Sequence, residues 1–452
     1  MGDYQANGRP AQSSRPASGG RSEPGWLGAA EATIGIIANP MSGRDIRRLV
    51  ARASVFPNAE KTNMVLRLVA AAGALGVGRV LVSTDSFGIS AGVLRASQRR
   101  DAERDQVWPE LEFVALDALT GTADDTRETA LRMRSAGANV IVLLGGDGTI
   151  RAAAPVLGDT PIVPLSTGTN NAFPQMWEAT VAGSAAALVA VGAVGLAEAT
   201  NRAKVLEVES GSRRELALVD VCISTVTHVG ARALWHVDSL RELYCAFAEP
   251  HAIGLSSVAA MLHPTSRSHP GGVAVRLAGD GPARRWVTAP IAPGVLARVG
   301  ILEVAPLAIG ERRLSTVPTG TVAVDGEREI EFSPDRPVSV TLSGSGPLVV
   351  DIPKVMRIAS DRDLLLSGQA PPWPRPASSP GSARSTPQPR PTTPTTHLRG
   401  DRSAGPSQPP RLEGGNHDRH VAQQHRLRAD PGRPARGLPD DAHDPGVRGA
   451  GP

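Results

Sequence analysis

The sequence predicts an α/β domain of three layers built on a parallel sheet, followed by a β-rich domain. Between Ile34 and about residue 200, short apolar runs alternate with stretches of helical period, the pattern of parallel strands joined by crossover helices. Beyond Asn201 the helical period nearly vanishes and short strand-like runs take over. Three of the early apolar runs also end in small, polar, glycine-bearing loops. Open α/β sheets bind ligands outside the carboxyl ends of their strands.

In chain order, residues 1–31 are Gly, Pro, Ser and Arg without an apolar period and are expected to be disordered. The first strand, Ile34 to Ala38, runs into Asn39-Pro40-Met41-Ser42-Gly43. Helices are expected at Asp45–Ala53 and Asn63–Ala74, a strand at Arg79–Ser83, a helix near Ile89–Asp101 and a strand at Glu112–Leu116. Thr122–Ser135 reads as a helix, since Asp124 and Asp125 stand in its first turn and Arg132 and Arg134 in its last, matching the helix dipole. Val140 to Leu144 is a continuous apolar run, as befits a strand covered on both faces. It ends in Gly145-Gly146-Asp147-Gly148-Thr149, and a helix is expected over Ile150–Leu157. A strand at Pro161–Leu165 leads into the loop from Ser166 to Pro174. The uncharged run Ala179–Ala197 is long enough to span a membrane. Its Ala and Gly content makes insertion poor, so it is read as a buried helix.

The β-rich part is expected to hold strands at Ala203–Glu209, Glu215–Cys222, Val273–Leu277, Trp286–Ala289, Thr321–Val324, Val338–Leu342 and Leu348–Ile352, with one helix at Gly254–Leu262. These readings place an α/β domain over 32–200 and a β-rich domain over 201–365. Residues 366–452 are Pro-, Arg- and Ser-rich, a linker-like tail to which no function is assigned.

The loops carry the chemistry. Glycines leave backbone N–H groups unobstructed, and the helix after Gly148 offers its N-terminus to an anion. Asp147 is the one charge in that turn, available to a metal or a proton. No Gly-x-x-x-x-Gly-Lys is present and lysine occurs only at 61, 204 and 354, which excludes a P-loop. Phosphates must instead be held by backbone N–H groups, side-chain amides and a metal. Asp325-Gly326-Glu327 lies between two strand-like runs, where Asp-Gly also makes a plain hairpin turn.

In this order, Asn-Pro-x-Ser-Gly, Gly-Gly-Asp-Gly-Thr and Gly-Thr-Asn-Asn resemble the NAD kinase and diacylglycerol kinase superfamily over residues 33–360. The wording Asn170-Asn171-Ala172-Phe173-Pro174 is most similar to the acetoin-catabolism protein X branch of ATP-NAD kinase-like proteins. The resemblance implies an ATP- and Mg2+-dependent kinase that phosphorylates a hydroxyl, with NAD as the acceptor and NADP as the product. It implies nucleotide contacts at Asn39, Gly145, Gly146, Gly148, Thr149, Thr167, Gly168, Thr169 and Asn170. Asp147 would be proton acceptor or a magnesium ligand through water, and Glu327 an acid/base as in the lipid kinases. Asn171 and Asp220 would meet the acceptor. NAD kinases carry Asn-Glu where this chain has Val219-Asp220, so the acceptor is less defined than the donor. His228 and His236 lie nearby as ordinary surface or core histidines. A lipid or other small-alcohol kinase, and a nucleotide-binding accessory protein without turnover, stay open beside the leading reading.

Composition narrows the partners. Aromatics are 3% and the arginines are interleaved with acids at a net charge of +4, so nucleic acid is not an expected partner. With two cysteines, Cys222 and Cys245, and no signal-peptide core at the amino end, a reducing cytoplasm is the expected location. A homo-oligomer is compatible with all of this, and the oligomeric state stays open.

Overall fold

The computed structural model describes residues 32–43, 56–99, 108–168, 170–228 and 237–366. The expected helix at Asp45–Ala53, the terminal tails, Thr169 and His236 lie outside the described residues.

The chain begins with β1 (Thr33–Ala38), α1 (Asn58–Ala74), β2 (Arg79–Ser83), α2 (Ile89–Gln98), β3 (Glu110–Val114), α3 (Ala123–Ser135), β4 (Val140–Gly145), α4 (Asp147–Leu157), β5 (Ile162–Ser166) and α5 (Ala179–Ala190). These five strands are parallel, in the order β3-β2-β1-β4-β5. From β1 the chain steps outward through β2 and β3, then returns to place β4 on the other side of β1. The crevice between β1 and β4 is therefore the topological switch point of the sheet.

Alternation of side chains decides the layers. Ile34, Ile36, Val140, Val142, Leu144, Val163 and Leu165 face α1, α2 and the alanine-rich α5. Leu81, Ile141, Leu143 and Ile162 face α3 and α4, through Met133, Ile150, Ala153 and Leu157. Both faces are covered, which is why these strands read as unbroken apolar runs. In α3 the Thr122 side chain caps the first turn by accepting from Asp124 N, with acids at the start and arginines at the end.

There follow α6 (Leu196–Ala199), β6 (Thr200–Arg202), β7 (Val205–Ser210), β8 (Arg213–Ala217), β9 (Asp220–Ser224), β10 (Leu240–Cys245), α7 (Ser256–Ala260), β11 (Gly271–Leu277), β12 (Arg285–Ala292), β13 (Val295–Ala308), β14 (Arg312–Leu314), β15 (Gly320–Val324), β16 (Glu327–Phe332), β17 (Val338–Ser343), β18 (Leu348–Val350) and α8 (Ile352–Asp361). Seven of the strands form an antiparallel sheet, β12-β13-β11-β10-β9-β15-β16, and four form a second one, β14-β17-β7-β8. Val221, Ile223, Val322 and Ile330 of the large sheet meet Val208, Val340 and Leu342 of the small one. That core is continuous with the α3–α4 face of the parallel sheet. The opposite face of the large sheet is covered by α7. Near its end the chain re-enters the first sheet: β18 pairs parallel with β5, β6 pairs with β18, and α8 packs against α5.

Several expected elements differ in the structure. The alanine-rich helix stops at Ala190, where Gly192 takes φ 76°, and only the short α6 follows. The run Glu215–Cys222 is two strands, because the N–H groups of Leu218, Val219 and Asp220 turn to the Asp325 carboxylate. The last strand ends at Val350, since Asp351 accepts from Lys354 N and starts α8. Helix α4 starts at Asp147, three residues before the expected Ile150.

Candidate functional site

The loops after β1, β4 and β5 come from three adjacent strands and are tied together side chain by side chain. Asn39 Nδ2 donates to Thr149 Oγ1 at 2.8 Å, while Asn39 Oδ1 accepts from Met41 N at 2.8 Å and shapes the first loop. Ser42 Oγ and Thr167 Oγ1 lie 2.6 Å apart, joining the first loop to the third. Thr167 N donates to Gly145 O at 3.1 Å, joining the third to the second. Lys61 of α1, fully buried, holds the first loop from beneath by donating to the carbonyls of Asn39 (2.8 Å), Pro40 (3.2 Å) and Ser42 (2.8 Å). A buried ammonium needs such a shell of acceptors.

The glycines of the second loop differ in what they allow. A Cβ on Gly145 would stand 2.3 Å from Thr149 Oγ1, and one on Gly146 would stand 2.7 Å from Asn171 Oδ1. The first lets the turn fold back on its own Thr149, and the second lets the third loop close on it. At Gly148, in the first turn of α4, a Cβ would meet nothing within 4 Å. The protein's own packing does not require glycine there.

Asp147 is half-buried at the first position of α4. Its Oδ1 accepts from Phe173 N at 2.8 Å and Ala172 N at 3.2 Å, and Oδ2 accepts from Ala172 N at 3.2 Å. The carboxylate therefore lies between the helix N-terminus and two amides of the third loop. Beyond these residues is a cleft of about 520 Å³, walled by Ser166, Gly168, Asn171, Ala172 and Trp177 on one side and Glu249, His251, Ile253 and Arg267 on the other. Asn171 Nδ2 donates to Ser166 Oγ at 2.8 Å, which holds its amide at the cleft edge.

The structure thus brings together Asn39, Gly145, Gly146, Asp147, Gly148, Thr149, Thr167, Gly168 and Asn171. The hydroxyls of Thr149 (5% exposed) and Thr167 (0%) are used in bracing the loops. Asn170 lies half-buried in the third loop.

Glu327 is placed differently. It lies 3.7 Å from Arg151, one turn after Asp147 on α4, so it approaches the second turn of that helix. Arg151 also pairs with Glu329 at 3.0 Å and, at 3.8 Å each, with Asp325 and Glu215. Asp220 is 4% exposed, on the face of β9 shared with Cys222 and Ser224, opposite Cys245 of β10. Burial pushes the Cys245 thiol up, and the charge of Asp220 adds to that. Neither Asp220 nor Glu327 lines the cleft; Glu249, His251 and Arg267 do.

The bracing residues Lys61, Arg151 and Arg267 escape the sequence reading. Lys61 leaves one trace, since it sits at i of the stripe 61, 64, 65, 68 whose other members are the buried Met64, Val65 and Leu68. Arg151 leaves another, four residues after Asp147 and so on the same helix face. Arg267, in Thr265-Ser266-Arg267-Ser268, has no local signal. Nearby Lys204 donates to Ser266 O and Gly271 O, and its burial pulls it down to about 8 against the opposing charge of Glu249.

Comparison with known proteins agrees with this architecture. The family model of the ATP-NAD kinase N-terminal domain matches residues 34–194, and that of the acetoin catabolism protein X C-terminal domain matches 204–345. Acetoin catabolism protein X of Cupriavidus necator is 42% identical over 339 residues, covering 74% of this chain and 94% of that protein. This chain belongs to the acetoin catabolism protein X family. It shares with that family a kinase-like first domain with a mostly parallel sheet and a second domain of antiparallel strands. Among the described residues no helix is long and apolar enough to cross a membrane.

Proposed function

We propose that this protein is an ATP-dependent kinase that transfers the γ-phosphoryl group to a hydroxyl, with NAD as the acceptor. The observation that carries this reading is the interlocked set of three loops at the switch point. They gather the N-terminus of α4, the open space at Gly148 and the Asp147 carboxylate in one cluster of loops. Phosphoryl transfer asks the protein mainly for positioning and charge stabilisation. Backbone N–H groups at a helix N-terminus suit a phosphate.

Magnesium fits the residues present. Mg2+ in such sites is held by one or two carboxylates with substrate phosphates and water. Asp147 is the carboxylate of the loops, fixed in place by the amides of Ala172 and Phe173. Bound there, the metal would neutralise phosphate charge. Asp147 itself would hold that metal through water or take the proton of the attacking hydroxyl. The half-exposed Glu327, beside Arg151, is the second carboxylate proposed to exchange a proton. The acceptor is proposed to enter the cleft at Asn171, and Asp220, buried on β9, is proposed as its second contact. The name of the Cupriavidus relative suggests a setting in acetoin catabolism.

A second reading, nucleotide binding without turnover, is favoured by the engagement of Asp147 with two amides. Purified protein with ATP, Mg2+ and a panel of NAD, NADH, diacylglycerol and sugars, read by ADP release, separates the readings. Release with NAD alone supports the first. Release only with diacylglycerol or a sugar moves the assignment to a lipid or small-alcohol kinase. ATP binding without release supports the second.

Gly148→Ala gives an independent check. With open space at that Cβ and a helical position, the substitution should raise stability by roughly 0.4–1 kcal/mol. It should at the same time weaken ATP binding, measured by calorimetry, because the methyl group intrudes where the phosphates are proposed to lie. Unchanged ATP affinity would remove Gly148 from the nucleotide site.

A further inference from the structure

We infer that Arg267 of the second domain is a positioning residue for Asp147, acting through the peptide unit between Ala172 and Phe173. The Phe173 N–H of that unit donates to Asp147 Oδ1 at 2.8 Å, and the Ala172 carbonyl of the same unit accepts from Arg267 Nη2. Arg267 Nη1 donates to the next carbonyl, Phe173 O, at 2.7 Å. A cation on the oxygen of an amide and an anion on its hydrogen polarise it in the same sense, so each bond strengthens the other. The inference rests on the kinase reading for its catalytic half; the coupling through the peptide does not.

The arrangement is fixed on the arginine side as well. The guanidinium lies 4.4 Å from the ring centroid of Phe247 and 5.6 Å from that of Phe173. Its Nε is 3.2 Å from Glu249 Oε2, so each nitrogen of the guanidinium has an acceptor. Two adjacent carbonyls match the planar fork of an arginine and not the point charge of a lysine. Arg267 and Glu249 also line the cleft, so a molecule entering it touches the pair that aims Asp147. Acceptor binding in the second domain is thereby coupled to the carboxylate in the first.

The test uses the full chain with Arg267→Ala and Arg267→Lys. Hydrogen exchange at the Ala172 and Phe173 amides should quicken roughly tenfold or more in both, the loss of a charge-assisted contact being worth that much. Turnover should fall by a similar roughly tenfold factor with the KM for ATP unchanged, and millimolar guanidinium should restore part of it in the Ala variant. In an Asp147→Asn background, Arg267→Ala should cost no further turnover. Unchanged exchange at residues 172 and 173 overturns the inference. So does a loss of turnover that adds in full to that of Asp147→Asn and resists guanidinium. Should the Ala variant fail to fold, the Lys variant carries both readouts. Should the wild-type protein show no turnover, the kinase reading falls, and the exchange result alone decides whether Arg267 holds this peptide.

Discussion

Asp147→Asn is expected to cut turnover by roughly 10²–10⁴-fold, the usual contribution of a positioned acid–base group. The fold should survive, because an amide oxygen still accepts from Phe173 N and the residue stays at the first position of α4. A melting curve near that of the wild type, with ADP release reduced, is the expected pair of results. The two roles of Asp147 separate on magnesium. A metal-holding carboxylate predicts that excess Mg2+ recovers part of the rate, whereas a proton acceptor predicts a rate insensitive to the metal. Near-native turnover would make loop bracing, through Ala172 and Phe173, the whole of its role.

What the sequence revealed depended on how local the physics was. The three loops were legible because glycine, asparagine and threonine at strand ends need no distant partner to be recognised. The buried strands β1, β4 and β5 were legible for the same reason, their apolar runs being continuous. Strand β10 was hidden because Glu242 points inward, where Thr316 N, Thr316 Oγ1 and the Tyr244 hydroxyl satisfy it. That acid breaks the apolar pattern, and the partners that make it acceptable lie mostly 74 residues away. Strand β13 interrupts its apolar residues with Arg298 and Glu303, since part of its length is exposed. The long-range arginine contacts were the least legible. Arg151 reaches Glu329 across 178 residues and Arg267 reaches Ala172 across 95, distances over which no motif operates. Asp220 stands where the family resemblance implies an acceptor contact, and the strand pairing buries it on β9 opposite Cys245.

Asp325→Ala should be among the most destabilising single changes in the protein, by about 3–5 kcal/mol, since each buried N–H group that loses its acceptor costs about 1–3 kcal/mol. Asp325 stands at the β15–β16 turn with φ 49°, followed by Gly326 with φ 80°, the two-residue geometry that Asp-Gly favours. Its buried Oδ1 accepts from Leu218 N at 3.0 Å, Val219 N at 2.8 Å and Asp220 N at 3.3 Å, and its Oδ2 lies 3.8 Å from Arg151. Alanine would strand three buried N–H groups and remove a partner of the arginine that joins α4 to this hairpin. It would also leave the positive φ without the short polar side chain that makes it tolerable. Asp325→Asn keeps an oxygen for the amides and tolerates that φ, so it should cost distinctly less. Burial pushes the Asp325 carboxyl above its ordinary value, with Arg151 and the three amides pulling the other way. A raised folded value makes the wild-type contribution full in acid, below the unfolded pKa, and smaller as pH rises through the folded one. The stability gap to the Asn variant, read from urea midpoints, should therefore narrow from acid toward neutral pH. A gap that widens instead would show the carboxylate held down by Arg151 and the amides. An alanine variant within about 1 kcal/mol of wild type would mean those three amides find water, since leaving buried donors unpaired costs more than that.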